Sequence, residues 1–164
     1  MDKELDLDDF LGVVKEYKEH NEQLENSPEY KKVIDDVMRE VYTTYVNWRL
    51  ELEKRFLENE LEEIAKKLDQ LKEEKVLRND NWRTFLLSSV DTEAKRWYEG
   101  KSRLEKAAKE AQKLIKTDPE KAAQMFSMFG MCHMIWGLKK EILKEKYGMT
   151  WYTPAEVNPY TCYD

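Results

Sequence analysis

No glycine or proline interrupts the chain between Pro28 and Gly100. A β-sheet fold turns back on itself roughly every eight to twelve residues, and its turns are built largely on those two residue types, so a stretch of this length without either continues as helix. The 164 residues carry only five glycines and four prolines. Charged residues make up 38% and hydrophobic residues 41%, a surplus of Glu and Lys that suits long exposed helices and still leaves enough apolar side chains to fill a core. The expectation is an all-α fold: a helical bundle forming one domain over residues 1–164, with a long helix or a projecting coiled-coil-like hairpin at about 57–116 and a short irregular tail, 149–164, packed on the core.

Periodicity and cap residues place the helices. Phe10, Val14, Tyr17, Asn21 and Leu24 recur at four-three spacing, so a first helix is predicted from about Asp8 to Asn26. Ser27-Pro28 then restarts the helix, with Ser27 as N-cap and Pro28 at the first position, where its missing N–H costs nothing. From Glu29 to about Arg78 nothing stops it. Its stripe Tyr30, Ile34, Val37, Val41, Tyr45, Trp48, Leu52 is followed by an offset stripe Leu57, Leu61, Ile64, Leu68, Leu71, which implies a stutter, a bend or two stacked helices near Phe56.

Asn79-Asp80-Asn81 reads as the next turn, followed by a short face of Trp82, Phe85 and Leu86, and Asp91 reads as the cap of a further helix to about Lys116 with Gly100 as a weak point. Thr117 and Glu120 have capping-box spacing around Pro119, and the segment from Ala122 to Leu138, apolar in nearly every direction, is predicted to be a central buried helix. Its Gly130 and Gly137 imply close approach of a neighbouring helix, and Gly148 reads as the stop. Thr153-Pro154-Ala155-Glu156 repeats a start signal in a tail rich in aromatic residues.

The net charge of −6 is concentrated at one end. Residues 1–26 hold Asp2, Glu4, Asp6, Asp8, Asp9, Glu16, Glu19, Glu22 and Glu25 against Lys3, Lys15 and Lys18, and the remainder balances to zero. Such an end repels phosphate and suits a basic protein surface, although Asp6, Asp8 and Asp9 also sit where a helix dipole favours negative charge. Two cysteines, Cys132 and Cys162, make no disulfide framework and suit a reducing compartment; no signal peptide or membrane span is predicted, which points to the cytoplasm.

Motifs for chemistry are scarce. Met125, Met128, Met131 and Met134 fall every third residue, a step that spreads them around a helix and favours core packing over a plastic groove. Cys132 and His133 are adjacent and point about 100° apart, so one metal would need Cys162 or Asp164 brought alongside; the simpler expectation is a buried thiol and a histidine bonded to the tail backbone. No HExxH, Walker or Rossmann pattern occurs, and Tyr17 and Gly130 stand where a helical di-iron site needs Glu before His. Lys139, Lys140, Lys144 and Lys146 lie near Trp136, Tyr147 and Trp151, the parts of a weak nucleic-acid end, but Glu141 and Glu145 dilute the field.

The segment Cys132-His133-x-x-Trp136, Lys139-Lys140-x-Ile142-Leu143-Lys144-Glu145-Lys146-Tyr147-Gly148, Trp151-x-Thr153-Pro154-Ala155-Glu156-x-Asn158-Pro159 resembles a pattern in small uncharacterised proteins of phages and mobile elements. The resemblance covers the last fifth of the chain and implies no activity, cofactor or catalytic residue; it implies an accessory protein of the kind that occludes a host enzyme.

The sequence therefore predicts a non-enzymatic protein-binding or inhibitory protein with no catalytic, cofactor or metal residues. Asp6, Asp8, Asp9, Glu16 and Glu19 would face a basic partner such as the nucleic-acid channel of a defence enzyme. The alternatives are a homo-oligomeric scaffold joined through the heptads, and a nucleic-acid binder using the Lys139–Trp151 end.

Overall fold

The computed structural model describes residues 6–163. Asp2, Lys3 and Glu4 of the acidic end, and Asp164, weighed as a metal ligand, lie outside the described residues. The fold is all-α. Among the described residues there are seven helices and no strand: α1 Leu7–Asn26, α2 Pro28–Gln70, α3 Glu74–Leu77, α4 Asp80–Thr117, α5 Pro119–Gln124, α6 Met131–Tyr147 and α7 Pro154–Val157. None is long and apolar enough to cross a membrane. The chain divides into two compact units, the first Met1–Tyr45 with Ile115–Asp164 and the second Val46–Leu114.

Most helix starts follow the local chemistry. Ser27 stands between α1 and α2 in extended conformation, its hydroxyl accepting the Tyr30 N–H at 3.3 Å and its carbonyl the Lys31 N–H at 3.2 Å. α2 then runs through Phe56 without a break. The offset of the stripes near Phe56 is therefore neither a break nor a second helix; along the same helix, residues up to Tyr45 belong to the first unit and those from Val46 to the second.

In the first unit, Val37, Val41 and Tyr45 of α2 are fully buried, with Ala122 and Ala123 of α5 and Leu143 of α6. The Tyr45 hydroxyl donates to the Phe126 carbonyl at 2.6 Å and so fixes the chain just beyond α5. The helix expected over Ala122–Leu138 is not continuous. α5 ends at Gln124, Met125–Gly130 is non-helical, and α6 begins at Met131. Gly130 holds the second edge of the break, because it sits before α6 at φ 79°, ψ 6°, a left-handed conformation that costs other residues. Close approach does not explain either glycine, since a Cβ on Gly130 or Gly137 would meet nothing within 4 Å. The cap of α5 is Asp118, whose carboxylate accepts the Lys121 N–H at 3.1 Å; Thr117, expected there, is the last residue of α4.

The tail folds onto α1. Tyr152 stacks on Tyr17 with ring centroids 3.8 Å apart. Asn21, the one polar member of the α1 stripe, donates to the Tyr152 carbonyl at 2.7 Å and accepts its N–H at 3.0 Å, so a single amide replaces both backbone partners. Gly148 ends α6 at φ 63°, and Thr153 with Glu156 closes the capping box of α7, both as their spacing predicts.

The second unit is an antiparallel pairing of α2 with α4. The Trp97 indole N–H donates to the Leu57 carbonyl at 2.8 Å, and further along the Lys67 ammonium reaches Ser89 and Glu93. The turn comes earlier than Asn79, at Leu71–Glu73, and is followed by the single helical turn of α3, whose Val76 is fully buried. Asn79 caps α4 by accepting the Trp82 N–H at 3.0 Å. From there α4 is one helix where two were expected. Val90, Trp97, Leu104 and Ala111 keep seven-residue spacing along it, and that packing face overrides the cap signal of Asp91, whose carboxylate instead lies 3.1 Å from the Lys95 ammonium.

Candidate functional site

The acidic residues of α1 divide by role. Asp6 is the N-cap and accepts the Asp8 N–H at 3.0 Å, while Asp8 and Asp9 occupy the first turn, where the helix dipole favours them. At about 100° per residue, Asp8, Asp9, Glu16 and Glu19 fall within an arc of roughly 100° on the side away from Phe10, Tyr17 and Leu24. All four are exposed. The cation nearest to Glu19 is Lys15, at 4.0 Å with both side chains in solvent, a pair that offsets little of the field. The structure thus gathers four of the five predicted residues on one face and uses Asp6 at the helix end.

The basic C-terminal end is largely committed inside the first unit. Lys139 lies over the Trp151 ring at 3.9 Å and the Tyr30 ring at 5.6 Å, and Trp151, itself buried, donates its indole N–H to Glu25 at 3.1 Å. Burial pushes the Lys139 ammonium below its ordinary value, and the charge of Glu25 recovers part of that. Lys146 is 2.7 Å from Glu40, and Lys140 is 2.5 Å from Glu156. Burial pushes the Glu156 carboxyl up, but hydrogen bonds from Lys140 and the Thr153 N–H outweigh it and hold the group below the usual carboxylate range. Cations that look like a phosphate-binding row in sequence are therefore anchors for the tail and for α2.

The Cys132 and His133 pair brings no cluster together. His133 Nε2 lies 3.2 Å from the Tyr163 carbonyl, a bond to the tail backbone as expected, and its ring meets Trp136 edge-on at 5.3 Å. Cys132 is half-buried rather than buried, Cys162 is exposed, and neither is in a disulfide. Among the described residues no three His, Cys, Asp or Glu side chains are placed to hold a metal ion. The methionine series is not core either. Met125 and Met128 lie in the non-helical segment and are exposed, beside Phe129 at 85% exposure.

A surface that sequence reasoning missed lies in the second unit. Phe56, Leu61, Leu68, Leu77, Phe85, Leu87 and Tyr98 are all exposed there, Phe85 and Tyr98 at 68%. Two grooves run between α2 and α4. One, of about 440 Å³, is lined by Phe56, Ile64, Glu93 and Arg96 among others; the second, of about 320 Å³, has a floor of Leu57, Leu61, Trp97 and Leu104. The heptads held the signal. Leu57, Ile64 and Leu71 turn toward the unit's interior, but the alternate row, Leu61 and Leu68, is left about half exposed because two helices alone cannot cover both rows.

No protein-family model, curated protein or solved structure matches the chain.

Proposed function

We propose that the chain acts by binding other proteins through its helical surfaces, without catalysing a reaction. The observation that carries this reading is the apolar surface of Val46–Leu114, where Phe56, Leu61, Leu68 and Phe85 lie 45–68% exposed. Scattered apolar residues are normal on any surface, but a two-helix unit that leaves large apolar side chains exposed on both helices, with Phe56 bordering one groove and Leu61 the other, is an unfinished core that a partner helix can complete. The test is a triple substitution, Leu61→Gln, Leu68→Gln and Phe85→Gln. Because these side chains are about half or more exposed, each change should cost no more than about 1 kcal/mol, half of what a fully buried side chain contributes. Proteins that co-purify with the unmodified chain from its native cells should be lost. Unchanged co-purification by a folded triple variant would contradict the reading.

A second reading uses the acidic face of α1, favoured by the common arc of Asp8, Asp9, Glu16 and Glu19. On this reading the protein is an accessory inhibitor of phage or mobile-element type, and its carboxylates, with Asp6, stand in for phosphates in the basic nucleic-acid channel of a host enzyme. Affinity for that partner then falls steeply with ionic strength. Neutralising Asp8, Asp9, Glu16 and Glu19 to the amides should abolish binding, and an unchanged affinity would end this reading.

A further inference from the structure

We infer that the 320 Å³ groove of the second unit is a homodimer face, seated against the same groove of a second copy in a two-fold arrangement. The inference rests on the reading of Val46–Leu114 as an interaction surface and names its occupant.

The argument is charge. Four charged residues line this groove, Lys54 and Glu58 on α2, Lys101 and Glu105 on α4. In each helix the lysine precedes the glutamate by four residues, the weaker order for a pair within a helix. Lys54, Glu58 and Glu105 make no ion pair among the described residues, although ion pairs at three- and four-residue spacing are common elsewhere on these helices, as in Glu63 with Lys66 and Asp91 with Lys95. Lys101 lies over the Trp97 ring at 5.3 Å, at the rim of the apolar floor. The groove is therefore bordered by charges of both signs that the folded chain leaves largely uncompensated.

Their order along the groove is what selects the partner. Leu57 is opposite Trp97 through the indole hydrogen bond and beside Gly100, where an added Cβ would lie 3.4 Å from a Leu57 methyl. Because the two helices are antiparallel, four residues forward on α2 correspond to four back on α4. Glu58 is then at the level of Lys101 and Lys54 at the level of Glu105, within about one helical turn. Each level holds one positive and one negative group on opposite rims.

A two-fold axis parallel to the helices lays α2 of one copy over α4 of the other without changing levels. Lys54 of each copy then meets Glu105 of the other, and Glu58 meets Lys101, while the apolar floors close on each other. Every neighbouring helix pair in the resulting four-helix arrangement is antiparallel, the ordinary up-down bundle. The 440 Å³ groove lacks this property. There Glu60 would meet Arg96 but Glu63 would meet Glu93, a like pair, and both of those carboxylates already hold a lysine of their own chain, Lys66 and Lys67, so the border does not complement itself throughout.

The test is sedimentation equilibrium of the full chain with three variants at exposed positions, Lys54→Glu, the double variant Lys54→Glu with Glu105→Lys, and Leu61→Gln. The unmodified chain should be a dimer at roughly 100 μM. Lys54→Glu should weaken it about tenfold or more, since a two-fold axis presents each substitution twice, and the double variant should restore it. Leu61→Gln should weaken it at all salt concentrations. A monomer at that concentration, a higher oligomer, or a dimer indifferent to Lys54→Glu would overturn the inference. If the chain is monomeric while Leu61→Gln still removes a co-purifying protein, the groove has a different occupant: the dimer is refuted and the broader reading of the surface is not.

Discussion

Replacing Gly130 and Gly137 by alanine, the same change made seven residues apart, should have opposite effects. Gly130 sits at φ 79° before α6, and a Cβ there would meet no atom within 4 Å, so the cost is the backbone's alone. Holding an alanine in the left-handed region costs about 1–2 kcal/mol. Gly137 is exposed within α6, and its Cβ would also meet nothing. There alanine gains the difference in helix propensity, about 0.8–1 kcal/mol. The two variants should therefore differ by about 2–3 kcal/mol, or very roughly 4–12 °C in Tm at about 2–4 °C per kcal/mol for a chain of this size. Urea and thermal denaturation followed by far-ultraviolet circular dichroism measure the difference. If residues 119–147 formed one helix, both substitutions would stabilise, so a more stable Gly130→Ala variant would refute the break between α5 and α6.

Three further outcomes follow from the first unit. Tyr45→Phe removes the hydroxyl that donates to the Phe126 carbonyl at 2.6 Å and should cost about 1–3 kcal/mol in chemical denaturation, because an acceptor beside a buried ring loses its donor. Glu156 titrates below the ordinary carboxylate range, so its contribution is complete above that range and is lost as pH falls through its own lower pKa; the stability gap between the unmodified chain and Glu156→Gln should narrow on acidification, and a gap that widened would contradict the assignment. The Tyr30 phenol is pushed up to about 12 by burial and by the charge of Glu25, well above the ordinary value of 10.0. Its contribution to stability holds below the ordinary value of 10.0 and is lost as pH rises through about 12, which a spectrophotometric titration of the chain against Tyr30→Phe will read.

Local chemistry was legible in the sequence where a decision is made within one turn. Ser27-Pro28, Gly148 and the Thr153–Glu156 box each satisfy backbone groups a few residues away, and no distant partner changes that. Distance defeated the other inferences. Asp91 has the composition of a cap, but the face carried by Trp97, Leu104 and Ala111 holds α4 straight through it. Gly130 was visible, but the sign of its φ was not; read as a packing glycine it joined two helices that the chain keeps apart. Lys146 looked available because Glu40 lies more than a hundred residues earlier. At the candidate surfaces, α1's acidic arc follows from helical spacing alone. The open grooves of the second unit do not, since whether Leu61 and Leu68 are core or surface depends on how many helices pack there.

Site-specific photo-crosslinking in native cells tests most directly whether that unfinished core is a protein interface. A photoreactive residue at Leu61, in the groove, should give a covalent adduct with another polypeptide, and the same residue at exposed Lys109 should give none. An adduct of two copies of the chain would match the two-fold arrangement. No adduct at Leu61 above the level seen at Lys109 would contradict the account.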